Sequence, residues 1–219
     1  MWSGLDVLPE LERRRVLEIA RRRVFARGEV VFHAGDPADT FHLVHKGRLA
    51  VRLHGRFGAD TVTVAIVGPN DVFGELALLS ATATRTATVV ALEPAETRSI
   101  HRLDFDRILR EHPAAMKVIV EVLSAQVQRL SGQLVETLFE PVERRVLRRV
   151  ADLVAIYAEE DEGDVVIPLT QETVGELAGT SRPTVNKVLR AEVARGLIEL
   201  RRGRIVVLDR VALDARAHR

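Results

Sequence analysis

Met116, Val120, Leu123, Val127, Leu130 and Leu134 follow one another in alternating steps of four and three residues, and Thr137 or Leu138 continues the series. This is the a and d spacing of a coiled coil, kept up for about three heptads. An apolar stripe that narrow on a long helix needs a second helix laid against it. No other segment of the chain carries a matching stripe, so the economical partner is the same helix of a second copy, a twofold homodimer. The alternative is a long helix packed on a domain of its own chain. Pro141 biases Glu140 away from helical backbone and so interrupts the helix, marking a domain boundary and a candidate hinge.

The 219 residues, 47% of them apolar, suffice for two modest packed domains. The chain has no cysteine, which excludes disulfides, thiolate-held clusters and a catalytic thiol, and fits a reducing cytoplasm. Its first residues, MWSGLDVLPELERRRVLEIARRR, lack both a long apolar core and a small-residue cleavage pattern, and no later stretch offers about 18 uninterrupted apolar residues. Neither a secretion signal nor a membrane span is expected.

Residues Leu8 to Arg23 pattern as an amphipathic helix with Leu11, Val16 or Leu17, and Ala20 on its apolar side. From Glu29 to about Arg102 the texture changes to short runs: VVFHAG, TFHLVHKG, RLAVRLHG, TVTVAIVGP, TATVVALEP and ETRSIHR. Turn signals at Gly35, Gly47, Gly55, Gly68 and Pro94 punctuate them, the pattern of an antiparallel sandwich or barrel. One short helix, Glu75 to Leu79, interrupts the strands.

Beyond Pro141, VERRVLRRVADLVAIY predicts an amphipathic helix and AEEDEGD a solvated loop. Thr170 can cap a helix carrying Val174, Leu177 and Ala178, Gly179 supplies a tight turn, and Ser181 can cap a second helix. Pro183 is tolerated in that helix's first turn, and Val185, Val188 and Leu189 face inward. Two short helices around a glycine turn make a helix-turn-helix. IEL and RIVVL, closed at Arg202-Gly203, then form the hairpin of a winged helix.

The net charge is only +1, but from Ser181 to Arg219 ten Lys or Arg stand against four Asp or Glu. Arg182, Thr184 and Lys187 lie near the start of the second helix and off its apolar face, where docking in a major groove brings side chains to bases and phosphates. Arg182 can donate twice to guanine, and Ser181 and Thr184 can reach phosphate oxygens. Thr170 and Gln171, at the start of the first helix, and Arg202 in the wing complete the candidate contacts. Wing, basic excess and twofold seam together point to double-stranded DNA.

An enzyme is not indicated. His42 and His45, three apart on a strand, point to opposite faces and make no metal pair. No HExxH, nucleophile elbow or Walker loop is present, and no catalytic or metal residue is assigned. The stretch FGELALLSATATRTATV sets a Gly-Glu pair ten residues from Arg85 with small side chains between, as a small pocket would need. The structural alternative is a buried Glu75–Arg85 ion pair.

In order and in motif, nearly the whole chain resembles the cyclic-AMP receptor protein and fumarate-nitrate regulator (CRP/FNR) family of bacterial transcription regulators. FGELAL followed by RTATV is similar to that family's phosphate-binding cassette. The resemblance implies an α+β chain: a cyclic-nucleotide-binding β-roll over residues 1–111, a dimerisation helix over 112–140 and a winged helix over 141–219. It implies a ligand site of Gly74, Glu75, Leu76, Arg85, Thr86, Leu130 and Ser131. The physical chemistry agrees: the amides of Glu75 and Leu76 and the Arg85 guanidinium suit a phosphate, and Glu75 suits a ribose hydroxyl. Leu130-Ser131 stand where the receptor protein has Thr-Ser against adenine, and Gln126 stands where an arginine is common. Arg182-Pro183 and Lys187 replace its Arg-Glu pair and second Arg.

The expectation is a cytoplasmic, homodimeric transcription regulator binding a near-palindromic operator and, by resemblance, RNA polymerase. Its effector is a cyclic nucleotide, cyclic AMP ahead of cyclic GMP on family prevalence, with no other cofactor. The open alternative is a regulator active without ligand.

Overall fold

The structure is a computed structural model that describes residues 10–55, 61–79, 84–158 and 163–218. The chain forms two compact units, Met1–Arg129 and Leu130–Arg219, divided within one long helix.

In the first unit, α1 (Glu10–Ile19) leads into β1 (Arg21–Phe25), β2 (Val30–Phe32), β3 (Thr40–Lys46), β4 (Leu49–His54), β5 (Thr61–Val67) and β6 (Val72–Phe73). A short helix, α2 (Glu75–Leu79), precedes β7 (Thr88–Ala91) and β8 (Ala95–His101), and α3 (Arg102–Glu111) and α4 (Ala114–Phe139) follow. The strands make two four-stranded antiparallel sheets, ordered β1-β8-β3-β6 and β2-β7-β4-β5. Between them pack Phe25, Val44, Leu49, Phe73, Val89, Ala91 and Ala95. A second cluster joins Val16 and Ala20 to Phe41, Leu43, Leu78, Ile100 and Phe105, so that α1, α2 and α3 cover the β3–β8 face. Each large side chain so buried stabilises the fold by roughly 1.5–3 kcal/mol. This α+β arrangement is the expected β-roll.

The N-terminal helix is shorter than its pattern predicts. It stops at Ile19, and Arg21–Arg23, expected within the helix, instead pair with Ser99, Arg98 and Thr97 of β8. Ladder bonds to β8 and the burial of Phe25 outweigh the local helical pattern. Leu11, assigned to the apolar side, is exposed, while Val16 and Ala20 are buried; Leu8 lies outside the described residues. On β3 a bulge between Val44 and Lys46 leaves His45 exposed, whereas His42 is buried.

Helix α4 ends at Phe139 ahead of Pro141. Its stripe is bare within the chain: Val127 is 62% and Leu134 59% exposed, with Met116, Val120, Leu130 and Leu138 also exposed and Leu123 half-buried.

In the second unit α5 (Val142–Tyr157) buries Val146, Leu147, Val150 and Leu153. After it come β9 (Val165–Ile167), α6 (Gln171–Ala178), α7 (Arg182–Ala194), β10 (Ile198–Arg201), β11 (Arg204–Val207) and α8 (Arg210–His218). Thr170 caps α6, and Gly179 ends it at φ 60°, a left-handed turn that glycine adopts without strain. Ser181 caps α7, and Val185, Val188 and Leu189 are buried as expected. The predicted wing is present as β10 and β11, and β9 adds a third strand that the sequence pattern did not reveal. Most of the acidic run AEEDEGD lies outside the described residues.

Candidate functional site

A cavity of about 730 Å³ opens in the first unit between the β-roll and the first half of α4. Gly74, Glu75, Leu76, Arg85 and Thr86 all line it. Gly74 sits at φ 87°, and a Cβ there would come within 2.8 Å of Arg85 Nη1. Both the backbone conformation and the closeness of the guanidinium therefore require glycine.

Glu75 is only 3% exposed. Burial pushes its carboxyl above the usual carboxylate range, against its own backbone amide and a hydrogen bond from Gln126 of α4. Arg85, also buried, donates from Nη1 to the carbonyl of Thr40 at 2.5 Å and from Nη2 to Thr40 Oγ1 at 2.8 Å. Its guanidinium carbon lies 4.0 Å from the centre of the Phe32 ring. Burial draws Arg85 below its ordinary range, while Asp39 and Asp36 oppose the shift. Its Nε is buried with no hydrogen-bond partner. Among the described residues no ion pair joins Arg85 to Glu75, so the structural alternative of a buried pair is not realised. The two groups face one cavity with opposite chemistry, one suited to an anion and the other to a hydroxyl.

Leu130 and Ser131, expected on the ligand, are exposed on α4 and are not among the residues lining this cavity. Helical geometry instead turns Gln126 and Arg129, three residues apart on one face, toward it. Arg129 Nη1 donates to the carbonyl of Val64 on β5. The equivalence of Gln126 with a family arginine was a usable signal for its role; Arg129, Thr40 and Phe32 carried none. Behind the cavity the His42 ring stacks on Phe73, centroids 4.9 Å apart, with Nδ1 3.0 Å from Thr97 Oγ1. Burial, then the positive charges of Arg85 and Arg23, lower its pKa to about 3, so the ring is neutral.

In the winged helix Arg182, Pro183 and Lys187 are exposed at the start of α7 and Thr184 is half-buried. The Ser181 and Thr184 hydroxyls lie 3.0 Å apart, and Ser181 Oγ accepts the Thr184 amide hydrogen at 3.5 Å. Thr170 Oγ1 likewise accepts from the amide of Thr173 at 3.2 Å. Gln171 Oε1 accepts from Asn186 Nδ2 at 2.9 Å, and Asn186 Oδ1 from Arg190 Nε at 3.0 Å. This bonded row, Gln171–Asn186–Arg190, extends the candidate surface beyond the residues expected from sequence. At the wing tip Arg201 is taken up by Glu199 at 2.6 Å, while Arg202 and Arg204 are exposed. Among the described residues no helix is long and apolar enough to cross a membrane.

Residues 22–112 match the family model described as a cyclic nucleotide-binding domain, and residues 144–216 match that of a Crp-like helix-turn-helix domain. The chain is 28% identical over 195 residues to a CRP-like cAMP-activated global transcriptional regulator of Mycobacterium tuberculosis, covering 88% of this chain and 86% of that one. It is 28% identical over 200 residues to the cyclic AMP receptor protein of Thermus thermophilus, covering 90% and 88%. Its fold is similar to that of the c-di-GMP responsive global regulator CLP of Xanthomonas campestris, with a TM-score of 0.78 at 21% identity over 90% of this chain and 97% of that one. The cyclic nucleotide-binding domain and the Crp-like helix-turn-helix domain thus occur here in one chain, in that order, and the match to these relatives extends along most of their length. The chain belongs to the CRP/FNR family, DNA-binding and cyclic-nucleotide-binding transcription regulators rather than enzymes.

Proposed function

We propose that this regulator works as a homodimer whose effector is a purine 3′,5′-cyclic nucleotide, cyclic AMP ahead of cyclic GMP. The observation that carries the effector is the buried Arg85: its Nε lacks a partner among the described residues, beside a cavity that the buried carboxyl of Glu75 also lines. A cyclic phosphate supplies an anion in direct contact with Arg85, and the ribose hydroxyl donates to Glu75. Cyclic AMP ranks first because the Mycobacterium and Thermus relatives are regulators named for it. Thr86 beside Arg85 offers a polar contact to either base.

The bare stripe of α4 supports the dimer, since Val120, Val127, Leu130 and Leu134 are exposed in one chain and interlock as a and d residues in two. Pairing also gives Leu130 and Ser131 of each helix a route to ligand contact. Two recognition helices on a twofold axis then meet half-sites of a near-palindromic operator about 34 Å apart. The effector favours DNA binding only by binding that arrangement more tightly, with the Pro141 break as the hinge. RNA polymerase is the partner on the promoter.

Calorimetric titration with cyclic AMP and cyclic GMP tests the effector. Micromolar or tighter binding is expected, with Arg85→Ala losing more than a hundredfold, about 3–5 kcal/mol, as a buried phosphate is left unpaired. No heat with either nucleotide at millimolar concentration, in a protein that still binds DNA specifically, would make it a regulator active without ligand. Sedimentation tests the dimer. Glu at both Leu123 and Val127 sets like charges across the seam and is expected to give monomers; unchanged dimers would remove the seam.

A further inference from the structure

Helix α2 carries Glu75, Leu76 and Ala77 of the cavity wall, yet it has five residues, too few to hold a helix unaided. The carbonyls of its last turn have no partners within the helix. Arg102, the first residue of α3, supplies them from outside. Its Nη1 donates to the carbonyl of Leu78 at 3.1 Å and its Nη2 to that of Ala77 at 2.8 Å, with a longer contact of 3.4 Å to the carbonyl of Ala38. Its own amide donates to the carbonyl of Asp39 at 2.6 Å.

The segment from Asp36 to Thr40 is thereby strung between two arginines. Arg85 holds its two ends, its backbone amide donating a hydrogen bond to the Asp36 carbonyl at 2.9 Å and its guanidinium donating two to Thr40. Arg102 holds its middle at Ala38 and Asp39 and reaches on to α2. The two guanidiniums also sense each other: Arg102 is among the charges that lower the Arg85 pKa. Leu78 of α2 packs in one cluster with Phe105 of α3, so the polar clamp has an apolar counterpart.

We propose that Arg102 is a positioning residue for the nucleotide site: without touching the ligand, it fixes α2, and with it Gly74, Glu75 and Leu76, opposite Arg85. The inference rests on the assignment of the cavity to a cyclic nucleotide. It follows from the fork geometry of the guanidinium, which bridges two carbonyls of α2 and the segment that carries Arg85's partners, whereas a lysine ammonium makes a single point contact.

Two measurements on the full-length chain test it, titration with cyclic AMP and cyclic GMP and amide hydrogen exchange in the ligand-free protein. Arg102→Ala is expected to weaken nucleotide binding by about tenfold or more, the scale of losing charge-assisted hydrogen bonds. It should also speed exchange across Gly74–Leu79 while β3 and β8 keep wild-type protection. Arg102→Lys should recover part of both effects. Arg107→Ala, on the same helix but bonded to Asp104 of that helix's own first turn, should show neither. Wild-type affinity in Arg102→Ala, or exchange that rises evenly over the whole domain, would overturn the proposal. If Arg102→Ala does not fold, the Lys and Gln variants carry the same comparison. Should the wild type bind neither nucleotide, the site assignment fails and the positioning role falls with it, even if exchange in α2 alone rises.

Discussion

Two glutamates, one in each unit, are equally hidden from water and differently treated. Glu192 of α7 is 2% exposed and receives Arg216 Nε at 2.7 Å and Arg195 Nη1 at 3.1 Å. Glu75 is 3% exposed and, among the described residues, is bonded by Gln126 and a backbone amide, and burial raises the pKa of its carboxyl. Burying a carboxylate is costly unless it is paired, so the first arrangement serves the scaffold, while the second leaves a buried carboxyl at the cavity with no cationic partner among the described residues. Arg85 repeats the second pattern with the opposite sign, its Nε buried and unbonded. In this molecule the winged helix satisfies its buried charge internally, and the β-roll keeps two buried groups incompletely satisfied at one cavity.

The strongest way to break that contrast is to make Glu192 resemble Glu75. Replacing both Arg195 and Arg216 by Met strands a buried carboxylate and is expected to cost about 3–5 kcal/mol of stability in urea unfolding. An unchanged midpoint would mean that burial alone does not separate the two glutamates.

A smaller effect is expected at His42, the third buried ionisable group of the roll. Its folded pKa of about 3 lies below the ordinary 6.5. In that window the unfolded chain takes up a proton that the folded one refuses, so stability is full above 6.5 and falls as pH drops toward 3. Acidification from pH 7 to 5 should cost about 2 kcal/mol through this residue. His42→Gln should flatten that limb; an unaltered slope would assign acid sensitivity elsewhere.

The least change should come at Glu75 itself. Its pKa is raised in the fold, so its contribution is favourable at low pH and is lost as pH climbs through the carboxylate range. Glu75→Gln is therefore expected to raise the thermal midpoint of ligand-free protein at pH 8 while weakening nucleotide binding. A lower midpoint would show that the carboxylate is held by more than Gln126.

Much of the fold was legible because its signals are local. The seam is a spacing along one helix, the caps at Thr170 and Ser181 act within three residues, and Gly179 marks its own turn. The elements missed were those whose identity depends on a distant partner. β1 is a strand because β8, more than seventy residues on, accepts its ladder, although its arginines continue a helical pattern. β9 is three residues long and is fixed by β11. α3 follows β8 with only His101 as its cap, not a usual capping residue, whereas α8 does carry a local signal in Asp209, whose Oδ1 accepts from the Ala212 amide at 2.8 Å.

The candidate site divides in the same way. By itself the sequence determined that the cassette residues come together, since Gly74, Glu75, Leu76, Arg85 and Thr86 are close in the chain and all line one cavity. It could not decide what those groups do while they wait. Only the tertiary structure sets Arg85 on Thr40 and Phe32 rather than on Glu75, brings Gln126 and Arg129 rather than Leu130 and Ser131 to this cavity, and hangs α2 from Arg102. The physical reason is range: caps, turns and heptads are settled within a few residues, whereas the partner of a buried charge is settled by whichever distant strand or helix the packed core delivers beside it.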